Sequence, residues 1–338
     1  MRTKRLILLI LYVIWPAIGF GETVRFAVIT DTQGRPIDEA VLSQAVQQVL
    51  DLTPKVQFVV ATGDLAVGSH FDPATASQLL LWKKIVRPWY ESDFQGLKVY
   101  PVPGNHDQSN CMLYRQVWMN VFPELPDNGP PGETKMTYSF EFGPCHLTMV
   151  NTSAPTPEGK HAVNLDWLAR DLAETAKPIK LVFGHEPAYP IIRHLGDSLD
   201  ARPELRDQFW SLLTEYGACA YFCGHLHIYD HWIKDNVHQI IVGTTGADDG
   251  PHNFLVVEAD ETDVTVQVYR IEPPERLEEF RLSDTASVAR EERPAPEPAP
   301  ESVPPLPFPC SCYLVVLIGL FRVHEYWLTM VPAGKENF

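Results

Sequence analysis

Five short apolar runs, spread across most of the chain, each stop at a carboxylate, an amide or an imidazole. "VRFAVIT" precedes Asp31 and Gln33, "VQFVVAT" precedes Asp64, "LKVYPVP" precedes Asn105, "IKLVF" precedes His185, and "ACAYFC" precedes His225 and His227. Runs this short, rich in β-branched and aromatic residues and closed by Gly or Pro, read as buried strands. Between them lie segments with apolar residues at helical spacing: Ile37 to Leu52, Pro73 to Tyr90, "LDWLARDLAET" and "ELRDQFWSLLTEYG". Strand and helix in alternation predict a layered α/β domain. In such sheets ligands gather at the carboxyl ends of strands, so the polar residues that end the runs should meet on one edge. His225 and His227, two apart in an extended chain, should project to the same side.

"TYSFEF" and "HLTMVNT", joined at Gly143 and Pro144, predict an antiparallel pair, and "QIIVGTT", "NFLVVEA" and "VTVQVYRI" predict a closing antiparallel run to about Ile271. The globular domain is accordingly placed at residues 22–275. A chain of 338 residues that is 45% hydrophobic can bury one such core with sequence to spare. The spare sequence lies at the ends. Residues 1–21 have a basic start, an apolar stretch from Leu6 to Phe20 and small residues Gly19 and Gly21, the pattern of a secretory signal. An uncleaved anchor is the alternative, disfavoured because the strand at Val24 leaves almost no spacer. Residues 283–309 are rich in Pro and Glu, the composition of a solvated linker. Residues 310–338 carry a short apolar run broken by Arg322, His324 and Glu325, which falls short of the roughly 20 apolar residues a spanning helix needs. This tail is a candidate anchor or sorting segment, and the expected location is exported, periplasmic or extracellular. Of six cysteines, Cys219 and Cys223 read as buried thiols, Cys111 and Cys145 as a candidate bridge, and Cys310 and Cys312 belong to the tail.

Each strand-ending residue, taken alone, is an ordinary cap or turn residue. The ordered set is not. D-x-Q at Asp31, G-D at Asp64, G-N-H-D at Asn105, G-H at His185 and G-H-x-H at His225 resemble the calcineurin-like metallophosphoesterase family, over Val24 to Ile271. The resemblance implies a four-layer αββα sandwich with mixed β-sheets and a dinuclear metal centre at the strand ends. One ion would take Asp31, Gln33 and His227, the other Asn105, His185 and His225, with Asp64 bridging them. His106 would stand beside the centre to protonate the departing alkoxide, with Asp107 either orienting its ring or serving as a simple turn residue. Two divalent or trivalent ions, Mn, Fe or Zn, are the implied cofactors. Gln33 stands where many members of the family carry histidine, and a neutral amide oxygen favours Mn²⁺ or Fe over Zn²⁺. Val67 stands where purple acid phosphatases carry tyrosine, which argues against that subgroup.

The implied activity is hydrolysis of phosphate mono- or diesters by in-line attack of a metal-bridging hydroxide. A non-catalytic binding or scaffold module is the competing reading, against which the chain keeps every ligand position and His106. The formal charge of −16, from 27 basic and 43 acidic residues, repels a nucleic-acid backbone. The expected partner is a small phosphorylated substrate, and the tail offers weak membrane attachment. Neither a helical H-E-x-x-H nor a phosphate-binding G-x-x-x-x-G-K-[ST] occurs. Glu186, Tyr229 and His252 flank the motifs. Ser109 to Lys135, with Trp118 and Phe122, is either a substrate-facing insertion or a structural cover.

Overall fold

A computed structural model describes residues 23–34, 39–91, 97–108, 111–153, 160–246 and 252–284. The signal segment, nearly all of the Pro/Glu linker and the apolar tail, with Cys310 and Cys312, lie outside the described residues. In chain order the elements are β1 (Val24–Ile29), α1 (Glu39–Asp51), β2 (Phe58–Ala61), α2 (Asp72–Ile85), α3 (Arg87–Glu91), β3 (Lys98–Pro101), α4 (Asn105–Gln108) and α5 (Tyr114–Val121). There follow β4 (Tyr138–Phe142), β5 (Cys145–Met149), α6 (Leu165–Glu174), β6 (Ile179–Phe183) and α7 (Pro203–Glu215). The chain closes with β7 (Ala220–Cys223), β8 (Asp230–Lys234), β9 (Val237–Ile241), β10 (Asn253–Ala259), β11 (Val264–Arg270) and β12 (Glu275–Arg281).

The strands form two mixed six-stranded sheets, β12-β11-β10-β1-β2-β3 and β4-β5-β6-β7-β9-β8. In the first, β1, β2 and β3 are parallel; in the second, β5, β6, β7 and β9 are parallel. Parallel strands are buried on both faces, which is why their sequences are unbroken apolar runs rather than alternating ones. The sheets face each other through aromatic side chains: Phe26 meets Phe183 edge-on at 6.1 Å, and Phe58 meets Phe140 at 5.7 Å. Helix α1 lays Val41, Leu42, Ala45, Val46 and Val49 into the core that contains the first sheet. The spacing of those five makes one apolar stripe, and the polar residues between them face water. On the far side of the second sheet, Trp167, Leu168 and Leu172 of α6 and Phe209, Trp210 and Leu213 of α7 pack with Val182, Tyr221 and Ile241. Helix, sheet, sheet and helix give the four-layer sandwich.

Four details depart from the sequence expectations. The helix expected from Pro73 to Tyr90 is two, broken at Val86, because Pro88 has no N–H to give the carbonyl of Lys84 and its ring crowds that carbonyl, whereas the first turn of a new helix needs no such donor. "QIIVGTT" does not join the closing antiparallel run: β9 pairs in parallel with β7 and antiparallel with β8. The domain does not end near residue 275, since β12 adds an exposed edge strand through Arg281. The Cys111–Cys145 bridge is not formed. Both thiols are free, Cys111 Sγ donating to Asp72 Oδ1 at 2.9 Å and Cys145 lying buried in β5, and Cys219 and Cys223 are free as well.

Trp118 and Phe122 are fully buried, so the 111–135 segment is anchored as structure even though its first part borders a cavity. Tyr229 packs against the core and donates to Glu278 Oε2 at 3.1 Å. His252 pairs with Thr244 in an isolated bridge. Among the described residues no helix is long and apolar enough to cross a membrane.

Candidate metal centre

The parallel strands β1, β2 and β3 of one sheet and β6 and β7 of the other end close together, and the loops that leave them are stitched by backbone bonds. Asp31 N donates to Gly63 O at 3.1 Å, Thr32 N and Gln33 N to Asp64 O at 2.9 and 3.0 Å, and Gly224 N to His185 O at 2.9 Å. A side chain ties the two sheets directly: His225 N donates to Asp31 Oδ2 at 3.0 Å. Asp31, Asp64, His225 and His227 all have positive φ, 49°, 54°, 73° and 53°. Non-glycine residues avoid that region at a cost of about 1–2 kcal/mol each, and such strain concentrates where a site requires it. Here it turns each side chain off the strand and into the space between the sheets.

Two glycines are needed for the close approach. A Cβ on Gly63, which has φ 96°, would lie 2.7 Å from His185 Nδ1 and 2.8 Å from Gly104 N. A Cβ on Gly104 would intrude on the Asp64 carboxylate. The glycines before the ligands therefore clear room for a neighbour's ligand as well as shape a turn.

Asp64 sits at the middle. Its Oδ1 accepts from His106 N at 2.9 Å, and its Oδ2 lies 3.1 Å from Gln33 Nε2 and 3.3 Å from His185 Nε2. Burial by itself would raise its pKa, but His185, with smaller contributions from His106 and His225, holds the carboxyl well below its ordinary range. His185 is completely buried; its Nδ1 is 2.8 Å from Thr62 O, which makes Nδ1 the donor, and its Nε2 lies 3.0 Å from Asn105 Oδ1. Nε2 thus faces two oxygen acceptors, an arrangement that needs a cation between them, a proton or a metal. Burial opposes a charge there, but Asp64 and Asp31 push the His185 pKa up. His225 is set the other way: Nε2 lies 2.8 Å from Asp197 O, and burial together with His185 pushes its pKa down to about 3, which keeps a lone pair on Nδ1. Ligand atoms of Asp64, His185 and His225 lie within 4.8 Å of one another.

On the other side of Asp64, His227 Nε2 is 3.3 Å from Asp31 Oδ1 and 3.2 Å from Gln33 Nε2. Asp31 Oδ1 and Gln33 Oε1 are both buried and accept no hydrogen bond. Orphaned buried oxygens cost about 1–3 kcal/mol each, and nearly all such atoms in folded proteins have partners. Two of them beside an imidazole fit a cation. The donor set on each side, oxygen with imidazole nitrogen, suits Mn, Fe or Zn ions, and the residues present therefore fit a metal pair.

All seven expected ligand residues come together. His106 is half-buried on the rim, held through its backbone N–H by Asp64. Asp107 is near but acts differently from the expectation. Its Oδ2 accepts from Gly104 N at 2.9 Å and Leu65 N at 3.2 Å, and its Oδ1 from Ala66 N at 2.9 Å, so it clamps the loops after β2 and β3 rather than the His106 ring. Adjacent residues of a helical turn do not face each other, which is the physical reason. Burial and then Asp64 push the Asp107 pKa up to about 7 against those three amides.

Sequence reasoning missed His161 and His194. His194 lies against His225, ring centroids 4.2 Å apart and planes tilted by 45°, and His161 bonds to Glu186, the residue after His185. Both lie in loops, where no periodic pattern marks them. The flanking position of Glu186 was the only pointer.

The model of the calcineurin-like phosphoesterase family matches residues 24–229. Among solved structures, the purple acid phosphatase PPD1 from yellow lupin (Lupinus luteus) seeds aligns at TM-score 0.58 and 15% identity, covering 77% of this chain and 54% of that one. The chain thus spans about half the length of the lupin protein. GAP50, the anchor in the inner membrane complex of Plasmodium, aligns at TM-score 0.54 and 15% identity over 82% of this chain and 99% of that one. PhoD aligns at TM-score 0.51 and 11% identity over 77% and 69%. At these identities the likeness is one of fold. A search of curated proteins gave no significant match.

Proposed function

From the premise that the chain belongs to the calcineurin-like phosphoesterase family, we propose that it is a metal-dependent hydrolase of phosphate mono- or diesters. The observation that carries the reading is the pair of buried, unpartnered oxygens, Asp31 Oδ1 and Gln33 Oε1, beside the imidazole of His227 and across Asp64 from His185. Asp31, Gln33 and His227 would hold one ion, Asn105, His185 and His225 the other, and Asp64 would touch both. When bound, such a pair supplies Lewis acidity to the phosphoryl oxygens and lowers the pKa of a water for in-line attack.

The chain's own residues do the rest. His185 is fixed in the tautomer that leaves Nε2 for coordination, because Nδ1 is committed to Thr62 O. His225 is kept neutral chiefly by burial. His106, positioned by Asp64, hands its ring proton to the oxygen of the departing alcohol. Two buried carboxylates would repel an anionic phosphoester from the metal-free site. The same residues thus make catalysis conditional on metal.

A scaffold role is the second reading, prompted by the fold likeness to GAP50, described as an anchor. A scaffold has no use for buried oxygens without donors, and those oxygens favour the hydrolase. Export is part of the proposal, supported by the signal-like residues 1–21, with attachment through the apolar tail and a small phosphorylated molecule as substrate. Metal content and turnover of an aryl phosphate and its diester, measured on intact protein and on His185→Ala, test the reading. Metal-dependent turnover lost in the variant is expected; no bound metal and no turnover across Mn²⁺, Fe²⁺ and Zn²⁺ overturns it.

A further inference from the structure

Asn105 also lines a cavity of about 790 Å³ whose other walls come from Gln108, residues 111–116, Met119, Ser153, residues 160–161, Glu186 and Asp197. Its volume falls in the range of small-molecule sites. Glu186 is completely buried, and both of its oxygens are engaged: Oε1 accepts from Ser153 Oγ at 2.8 Å, and Oε2 lies 2.9 Å from His161 Nδ1. A carboxylate so deeply buried is costly unless a cation answers it. His161 is the basic group that meets it. It sits at φ 55°, its side chain is 26% exposed, and its Nε2 lies 3.8 Å from Asp197 Oδ1. The bond to Glu186 raises the pKa of His161 against the desolvation that would lower it.

Two more bases line the same cavity. Neither Lys160 nor Arg115 forms an ion pair among the described residues, and the Arg115 guanidinium rests over the turn at Gly132. The opposing acid is Asp197, whose side chain is 64% exposed and also faces His194 at 3.4 Å. Exposed Met112 and Leu113 form an apolar lip beside Arg115. In a chain of formal charge −16, this cavity is lined by Arg115, Lys160 and His161 against the buried Glu186, which His161 meets, and the solvated Asp197, so Arg115 and Lys160 are the bases in excess.

We infer that this wall is a second anion site. The phosphoester carries, on its leaving-group side, a carboxylate or a further phosphate that Arg115, Lys160 and His161 receive, with Met112 and Leu113 covering the carbon skeleton between. Glu186 acts through His161 as a positioning residue. The inference rests on the hydrolytic reading of the centre and narrows it: a plain alkyl phosphate would leave Arg115 and Lys160 without an ionic partner, while His161 already has Glu186.

The test uses the metal-loaded full chain and two readouts. Calorimetric binding compares propylphosphonate, 3-phosphonopropionate and propane-1,3-bisphosphonate; turnover compares phenyl phosphate with carboxyphenyl phosphate. The expected result is that one or both doubly anionic probes bind about tenfold tighter than propylphosphonate, the size of one charge-assisted hydrogen bond. Which of the two wins tells a carboxylate from a phosphate. In the double variant Arg115→Gln/Lys160→Gln the preference disappears while propylphosphonate binds as before, and KM for the carboxylated ester rises with kcat little changed. His161→Gln should remove part of the same preference without loss of metal. Equal binding of all three probes by the unaltered protein overturns the inference and leaves the hydrolase reading intact. A preference that survives the double variant also overturns it. A clear preference without turnover of either ester would retire the hydrolase and keep the anion site.

Discussion

Replacing Gly63 by alanine tests whether the glycines serve the ligands or only the turns. At φ 96° any side chain is strained, by about 1–2 kcal/mol. The new Cβ would also lie 2.7 Å from His185 Nδ1 and 2.8 Å from Gly104 N, whereas ordinary contact begins at 3.4 Å. The backbone at Gly104 cannot retreat, because its N–H is bonded to Asp107. The imidazole must move by about 0.7 Å, the difference between 3.4 and 2.7 Å, and overpacking of this kind costs about 1–3 kcal/mol. The sum is about 2–5 kcal/mol, or a fall in melting temperature of about 4–20 °C for a domain of this size. Gly217→Ala is the control: φ there is 68°, but nothing lies within 4 Å of the added carbon, so only strain remains. Both variants would be melted in chelator and then titrated with metal. Gly217→Ala should lose about 1–2 kcal/mol and bind metal normally. Gly63→Ala should lose more and also bind metal weakly, because ligands tolerate about 0.5 Å of displacement. If Gly63→Ala melts with the control and loads metal like the unaltered protein, the close-approach argument is wrong.

Three further outcomes follow from the same geometry. Asp107→Asn should destabilise the protein by about 1–3 kcal/mol in a denaturant titration, since an amide group facing three backbone donors leaves at least one unsatisfied; metal affinity should weaken with it, because that carboxylate clamps the loops bearing Asp64 and Asn105. His106→Ala should lower kcat by about 10²- to 10⁴-fold with metal content unchanged, and loss of metal would instead make His106 a ligand. His185 has its pKa raised in the metal-free protein, so its proton stabilises the fold fully below the unfolded value and that stabilisation is lost as pH rises through the folded one. Metal must displace this proton, so metal affinity should fall by up to about tenfold per unit of acidification across neutral pH. Affinity independent of pH would show that Nε2 is free.

The residues of the candidate site were legible because each lies at the carboxyl end of an apolar run, and local sequence is enough to mark such ends. What escaped depends on contacts distant in the chain. Strand β12 reads "ERLEEFR", polar and exposed on almost every residue, and exists because β11 offers it an edge. The partnership of β9 with β7 is a choice between sheets that no period in "QIIVGTT" encodes. The Glu186 and His161 pair joins positions 25 apart, one after a strand and one in a loop. Asp107 shows the opposite hazard: the motif placed it at the site, but its role came from which of its neighbours had unpaired N–H groups.

An amide network holds the candidate site together. Four of the ligands sit at positive φ, and left alone each would relax toward ordinary strand geometry. Three of them, Asp31, Asp64 and His225, are held by bonds to one another's loops: Asp31 N to Gly63 O, Gln33 N to Asp64 O, and His225 N to the Asp31 carboxylate. Every one of these crosses between different strand ends, and the last crosses between sheets. The donors therefore stand near their working positions before any ion arrives, with the apolar faces of both sheets fixing the ends from below. Removing metal should then leave the secondary structure intact and lower stability by the binding free energy, about 2.7 kcal/mol at a hundredfold excess over the dissociation constant for each ion. A small zinc-organised domain, by contrast, unfolds when stripped, because there the metal supplies the core. Far-ultraviolet circular dichroism before and after chelation separates the two cases, and collapse of the signal on chelation would show that the ions, not the amides, order the strand ends.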